Sequence, residues 1–172
     1  MPGMDGTENF IGAKEMKKIT PFLWFDNQAE EAMTFYTSVF KNSRVVSMSR
    51  YGDAGPGPKG QVMTGTFELN GQEFMVLNGG PDFKFTEAIS FFVNCETQAE
   101  VDDLWEKLSA GGEKGQCGWL TDKYGLSWQI VPTALGEMLG DEDPAKVRRV
   151  TEAMLKMTRI DVALLKQAYD GR

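Results

Sequence analysis

The chain contains no histidine. That one absence removes Ser-His and Cys-His nucleophile pairs, His-ligated zinc, and the commonest general base at neutral pH. Cysteine is nearly absent too: Cys95 and Cys117 are the only 2 in 172 residues. They fit neither a CxxC pair nor a disulfide framework, so reduced thiols are expected. No run of about eighteen apolar residues occurs, so no spanning helix and no membrane partner are expected. Residues 1–18 are polar, without the apolar stretch of a secretory signal, and read as a flexible N-terminal tail. A cytoplasmic location is therefore expected. Positive charge is scarce as well, with 18 Lys and Arg against 25 Asp and Glu for a net charge of −7. The only adjacent arginines are Arg148 and Arg149, so the clustered cations that neutralise phosphates are missing and no nucleic-acid partner is expected.

Phosphate and dinucleotide loops are missing in the same way. Gly55-Pro56-Gly57-Pro58-Lys59-Gly60 has glycines and a lysine, but no Ser or Thr follows the lysine and the prolines donate no amides, so it reads as a mobile loop. No GxGxxG leads from a strand into a helix, which leaves a nucleotide or methyl-donor cofactor without support. No cofactor is expected.

What is present is a pattern that occurs twice. At 41% hydrophobic, the chain is long enough for one sizeable core. A β-rich Ile19–Asp26 is followed by Asn27-Gln28-Ala29-Glu30, which has the form of a capping box, and by Ala32, Phe35, Tyr36 and Val39 on one helical face. A strand over Arg44–Tyr51 and the Gly52–Gly60 loop come next. Val62–Leu69 and Gln72–Leu77 form a hairpin across Asn70-Gly71, whose residues suit the positive φ angles of a tight turn. The second half repeats the order: a strand over Ala88–Asn94, a capping box at Thr97–Glu100, a helix with Val101, Leu104, Trp105 and Leu108 on one face, and strands around Gln116–Leu120 and Leu126–Val131. The offset of roughly seventy residues marks an internal duplication. Asp122–Gly125 joins the last two strands, with Asp122 expected to cap the turn through its carboxylate. Ser127, Gln129 and Val131 then share one face and Trp128 and Ile130 the other. Beyond Pro132 the pattern is helical, with Pro144 in a first turn, Asp161 as a cap and a methionine stripe that reads as packing.

The repeated order, with FLWFDNQAEEAMTFYTSVF, the LNGGP turn and WLTDKYGLSWQIVP, resembles the PhnB-like branch of the vicinal oxygen chelate superfamily. This is the glyoxalase and bleomycin-resistance fold, and the branch often carries the label 3-demethylubiquinone-9 3-methyltransferase. The resemblance covers Ile19 to the C-terminus. It implies an α+β fold of two βαβββ modules, 19–80 and 86–132, forming a half-open curved mixed β-sheet barrel with outer helices. C-terminal helices over 134–171 complete a single domain of 19–172. It also implies a homodimer.

The superfamily's metal positions fall at Thr20, near Met75–Asn78, at Ala88 and at Gln129. Only Gln129 is a ligand type, and hard or borderline cations require several charged or imidazole donors, so no metal is expected. The same geometry implies a pocket lined by Thr20, Phe22, Trp24, Ser90, Phe92 and Gln129, with Tyr51 and Trp119 at the rim. Aromatic walls with a few polar groups suit a planar or amphipathic small molecule. Three readings follow: a small-molecule-binding protein with an aromatic cavity and a degraded metal site, which is preferred; a glyoxalase-type or transferase enzyme holding a divalent metal weakly; and a dimeric scaffold with a vestigial pocket. Catalytic residues are not assigned.

Overall fold

The structure, a computed structural model, describes residues 19–172. The tail expected over 1–18 lies outside the described residues. Module one runs β1 (Phe22–Phe25), α1 (Ala29–Val39), β2 (Ser43–Arg50), β3 (Val62–Leu69) and β4 (Gln72–Asn78). These strands form a sheet in the order β1-β4-β3-β2, in which only the β1–β4 pair is parallel. The β3–β4 hairpin turns where expected: Asn70 and Gly71 have φ of 46° and 82°, the pair of positive angles that a two-residue turn of this hand needs. Module two repeats the plan with β5 (Ser90–Cys95), α2 (Gln98–Ser109), β6 (Glu113–Lys114), β7 (Trp119–Thr121) and β8 (Ser127–Pro132), in the order β5-β8-β7-β6. The fold is therefore α+β, built of two mixed four-stranded sheets, and neither closes into a barrel. Strand β6 escapes the sequence pattern because two exposed charged residues carry no alternation.

The two capping boxes fare differently. At α2, Thr97 accepts from the Glu100 amide at 3.2 Å, and the Glu100 carboxylate reaches back to the Glu96 amide at 2.8 Å. At α1 the expected box does not form, and the N-cap Gln28 makes no side-chain cap bond. The Ala29 amide instead donates to Asn78 Oδ1 at 2.9 Å, 49 residues away, while Asn78 Nδ2 donates to the Val62 carbonyl at 2.9 Å. Glu30 is drawn off to Arg50, at 2.7 and 2.9 Å. A cap supplied by another strand leaves no mark in the local sequence.

One apolar cluster spans both modules. It takes Leu23, Phe25, Phe67, Phe74 and Val76 from the first sheet, Leu120, Trp128 and Ile130 from the second, and the inner faces of α1 and α2 between them. Aromatic rings carry it across: Tyr36 lies 5.4 Å from Trp128, Phe40 5.4 Å from Trp128, and Phe74 5.0 Å from Phe91. At its centre is a carboxylate. Asp122 is 2% exposed. Its Oδ1 accepts from the amides of Tyr124 (2.9 Å) and Leu126 (3.0 Å), and its Oδ2 from the Tyr36 hydroxyl (2.6 Å) and Trp128 Nε1 (2.9 Å). The first two bonds are the expected turn cap, closed by Gly125 at φ 87°. The other two bind α1 to β8. Nearby, Glu31 accepts from Lys123 at 2.7 Å and from the Tyr124 hydroxyl at 2.8 Å, a second tie between the modules.

The helices α3 (Thr133–Leu139), α4 (Pro144–Met154) and α5 (Val162–Asp170) enclose a smaller cluster of Val131, Leu135, Met138, Val150, Ile160 and Leu165. Asp143 caps α4 with Pro144 in its first turn, Asp161 caps α5, and Gly171 ends it at φ 76°. Met154 and Met157 pack on this cluster, so the methionine stripe is internal packing. Among the described residues, no helix is long and apolar enough to cross a membrane.

Removing the Asp122 carboxylate leaves four donors without their acceptor. Asp122→Ala should cost on the order of 3–5 kcal/mol, and Tyr36→Phe about 1.5–3 kcal/mol, both read from urea unfolding midpoints. Burial, and then the Asp122 charge, hold the Tyr36 phenol well above its usual range. Because the folded value is the raised one, this contribution is intact below the unfolded value of about 10 and is lost as pH climbs beyond it. Unfolding midpoints should therefore fall in strong alkali, and fall less steeply for Tyr36→Phe.

Candidate functional site

Strand alternation assigns the regularly paired residues of the two sheets to the helix side or to the open side. On the open face of the first sheet, register places Phe22, Met75, Thr66 and Ser47 in one row and Trp24, Leu77, Thr64 and Ser49 in the next. On the second, Ser90, Ser127, Thr121 and Glu113 form one row and Phe92, Gln129 and Trp119 another; a third, Asn94 and Val131, ends in Val131, which the cluster of α3–α5 covers. Both faces pair aromatic rings with hydroxyls.

The predicted residues fall into two groups. Thr20 is half-buried just before β1. Phe22 is 48% exposed. Trp24 donates its indole N–H to the Gly80 carbonyl at 2.9 Å and meets the Phe83 ring edge-on at 4.9 Å. The Tyr51 hydroxyl donates to the Asn78 carbonyl at 2.8 Å, so the Asn78–Gly80 turn holds both rim and wall. The Gly55–Gly60 segment folds against that ring: a Cβ on Gly57 would sit 2.3 Å from it and one on Gly55 2.9 Å, so only glycine lets the chain pass so close. That contact accounts for Gly55 and Gly57, and a φ of 85° for Gly60.

The second group is Ser90, Phe92, Trp119 and Gln129. Gln129 Nε2 donates to Ser90 Oγ at 2.9 Å across the parallel β5–β8 pair. Phe92 is 54% exposed and Trp119 half-buried. No hydrogen bond or ring contact among the described residues joins this group to the first, because the shared core lies behind both faces. Two hollows among the described residues lie elsewhere: about 580 Å³ along the outer side of α1, beside Glu30, Glu31 and Phe35, and about 380 Å³ between α3 and α5. None of the eight residues lines either. Sequence reasoning set Ser127 on the Gln129 face without choosing it as a pocket residue, and passed over Thr121, Thr64, Thr66 and Phe83. For all but Phe83, the alternation that picked out Gln129 and Trp24 would have found them.

The superfamily's metal positions can be tested against this arrangement. Both ends of the Asn78 amide are committed, to Ala29 and Val62, on the helix side of β4. Gln129 is engaged with Ser90. Thr20 offers a hydroxyl and Ala88 nothing. Among the described residues, no three His, Cys, Asp or Glu side chains are grouped to hold a metal ion. This donor set does not fit a divalent cation. The Cys95 thiol supplies no substitute nucleophile from the core, because burial, followed by the Glu100 charge, pushes it up to about 12 and keeps it protonated.

Fold and site together define a two-module α+β protein with aromatic, hydroxyl-bearing sheet faces. The family model described as 3-demethylubiquinone-9 3-methyltransferase matches residues 17–131, and the chain belongs to that family. A PhnB protein from Bacillus cereus is 47% identical, over 67% of this chain and 99% of that one, with a TM-score of 0.64. The protein PA1353 from Pseudomonas aeruginosa is 22% identical over 68% of this chain and 98% of that one; its TM-score of 0.57 supports the shared fold. A comparison with curated proteins returns no match.

Gly79 packs beneath the wall residue Trp24, where a Cβ would lie 2.2 Å from the ring. Gly79→Ala should displace the indole, costing about 1–3 kcal/mol and shifting tryptophan fluorescence to the red. Thermal melts and emission spectra of the variant check this.

Proposed function

We propose that the protein binds a small organic molecule carrying an aromatic ring, without a divalent metal, in a pocket assembled from two chains of a homodimer. Each chain supplies the Phe22–Trp24 face to one pocket and the Ser90–Phe92–Trp119–Gln129 face to the other. The Gln129–Ser90 bond carries the reading: an amide fixed at 2.9 Å on an open sheet face, between the register partners Phe92 and Trp119. A hydrogen-bonding group set between two rings is what a planar ligand with a polar edge requires. Large rings left about half exposed on both faces also favour a covering surface. A second chain is the natural one, since the two halves of the pocket lie on opposite sides of one core. The reading takes nothing from the methyltransferase wording of the family name, for which the chain has no methyl-donor loop.

Mixing two variants tests the assembly. Neither Trp24→Ala nor Gln129→Ala alone should bind naphthol, followed by its fluorescence, with more than about a tenth of the parent affinity. In a dimer formed from one chain of each, one pocket carries both substitutions and the other carries neither. Binding should therefore return on mixing after mild unfolding and refolding. If the pocket lay within one chain, every pocket would keep a defect and nothing would return. Parent affinity in the single Gln129→Ala variant would instead leave a dimeric scaffold.

A further inference from the structure

Resting on that two-chain pocket, we infer that its ligand presents a neutral hydroxyl or carbonyl group, recognised by the Ser90–Ser127–Gln129 cluster in place of a metal. The observation behind this is Ser127. Its side chain is 1% exposed, and its Oγ is the one buried side-chain polar atom among the described residues without a hydrogen-bond partner. A hydroxyl hidden from water with nothing to bond to destabilises the chain that carries it, and native proteins leave few such groups without a purpose. Ser127 is the register partner of both Ser90 and Thr121, so its Cβ stands within about 5 Å of theirs on the open face. Ser90 Oγ accepts from Gln129, which leaves the cluster with further hydroxyl protons and the Gln129 carbonyl oxygen to offer an incoming group. Its register partners Ser90 and Thr121 are both half-buried, so the pair that flanks Ser127 reaches the surface of that face.

The chemistry of that oxygen follows from the charges around it. The rows that would meet the ligand hold Ser90, Ser127, Thr121, Phe92, Gln129 and Trp119, all uncharged. Glu113 stands at the far edge, on β6. On the facing sheet, the rows of Phe22 and Trp24 carry no charge either; the row beside that of Phe22 carries Arg44, Glu68 and Glu73. Within those rows a carboxylate, phosphate or ammonium would meet no counter-charge, at a cost that a hydroxyl or carbonyl escapes.

Naphthol, naphthalene, naphthoate and naphthylmethylammonium share one ring system and differ at one substituent. Calorimetric titration of the parent protein should rank naphthol at least about tenfold above both charged compounds. Ser127→Ala should weaken naphthol about 3- to 10-fold and leave naphthalene unchanged. Without ligand, the same variant should melt roughly 2–6 °C higher, because it removes an unpartnered buried hydroxyl. A carboxylate or ammonium bound as tightly as naphthol would overturn the inference while leaving the pocket standing. So would a Ser127→Ala variant that melts lower than the parent, or one that keeps its preference for naphthol over naphthalene. If none of the four compounds bound, the pocket itself would fall.

Discussion

A carboxylate taken out of water survives only when its acceptor sites are filled, and Asp122 fills them from three elements. Two of its donors are amides of its own turn, which is why an aspartate opens that turn. The other two, the Tyr36 hydroxyl and the Trp128 indole, convert a local cap into a tie between modules. The tie also sets orientation. For its N–H to reach Asp122, Trp128 must face the helices, and alternation then turns Ser127 and Gln129 to the open side. A slip of one residue would exchange the two sets and put an amide into the core. The candidate site is thus oriented by a buried charge it does not contain.

Module one solves the corresponding problem at the Asn78–Gly80 turn. The Asn78 side chain holds the start of α1 and the Val62 carbonyl, its own carbonyl receives the Tyr51 hydroxyl, and the Gly80 carbonyl receives the Trp24 indole. The candidate wall residues of each module therefore sit beside one short turn that side-chain hydrogen bonds hold in place. The helix-side faces meet in one core, and that leaves the two aromatic faces directed away from each other.

The family match ends at residue 131, and α3 begins two residues later. The helical unit beyond that point has its own apolar cluster and holds the main body through backbone bonds, from the Cys117 amide to the Met157 carbonyl at 2.8 Å and from the Gly118 amide to the Thr158 carbonyl at 2.7 Å. Cys117 and Gly118 both have positive φ, and they lead directly into Trp119. Gln98 adds a further clasp, donating to the Ile160 carbonyl and accepting from the Val162 amide. The part of the chain outside the family match thus steadies the approach to a wall of the candidate site.

Periodicity, turn residues and local caps were legible because they are written within a few residues of one another. The duplicated order, the Asn70-Gly71 hairpin, the Thr97 and Asp161 caps, the inward Trp128 and the open-face Gln129 are all of this kind. The α1 cap was not, because its acceptor comes from another strand, and the acidic residue expected to complete the local box pairs with Arg50 instead. Nor was the separation of Phe22 and Trp24 from Ser90, Phe92 and Gln129. Alternation along a strand fixes which side chains share a face, but only the packing of rings around Asp122 decides which faces turn toward each other. The sequence alone thus determined the elements and the sidedness of each strand; the tertiary structure decided that the two groups of candidate residues lie back to back, because one buried carboxylate must collect its donors from both modules.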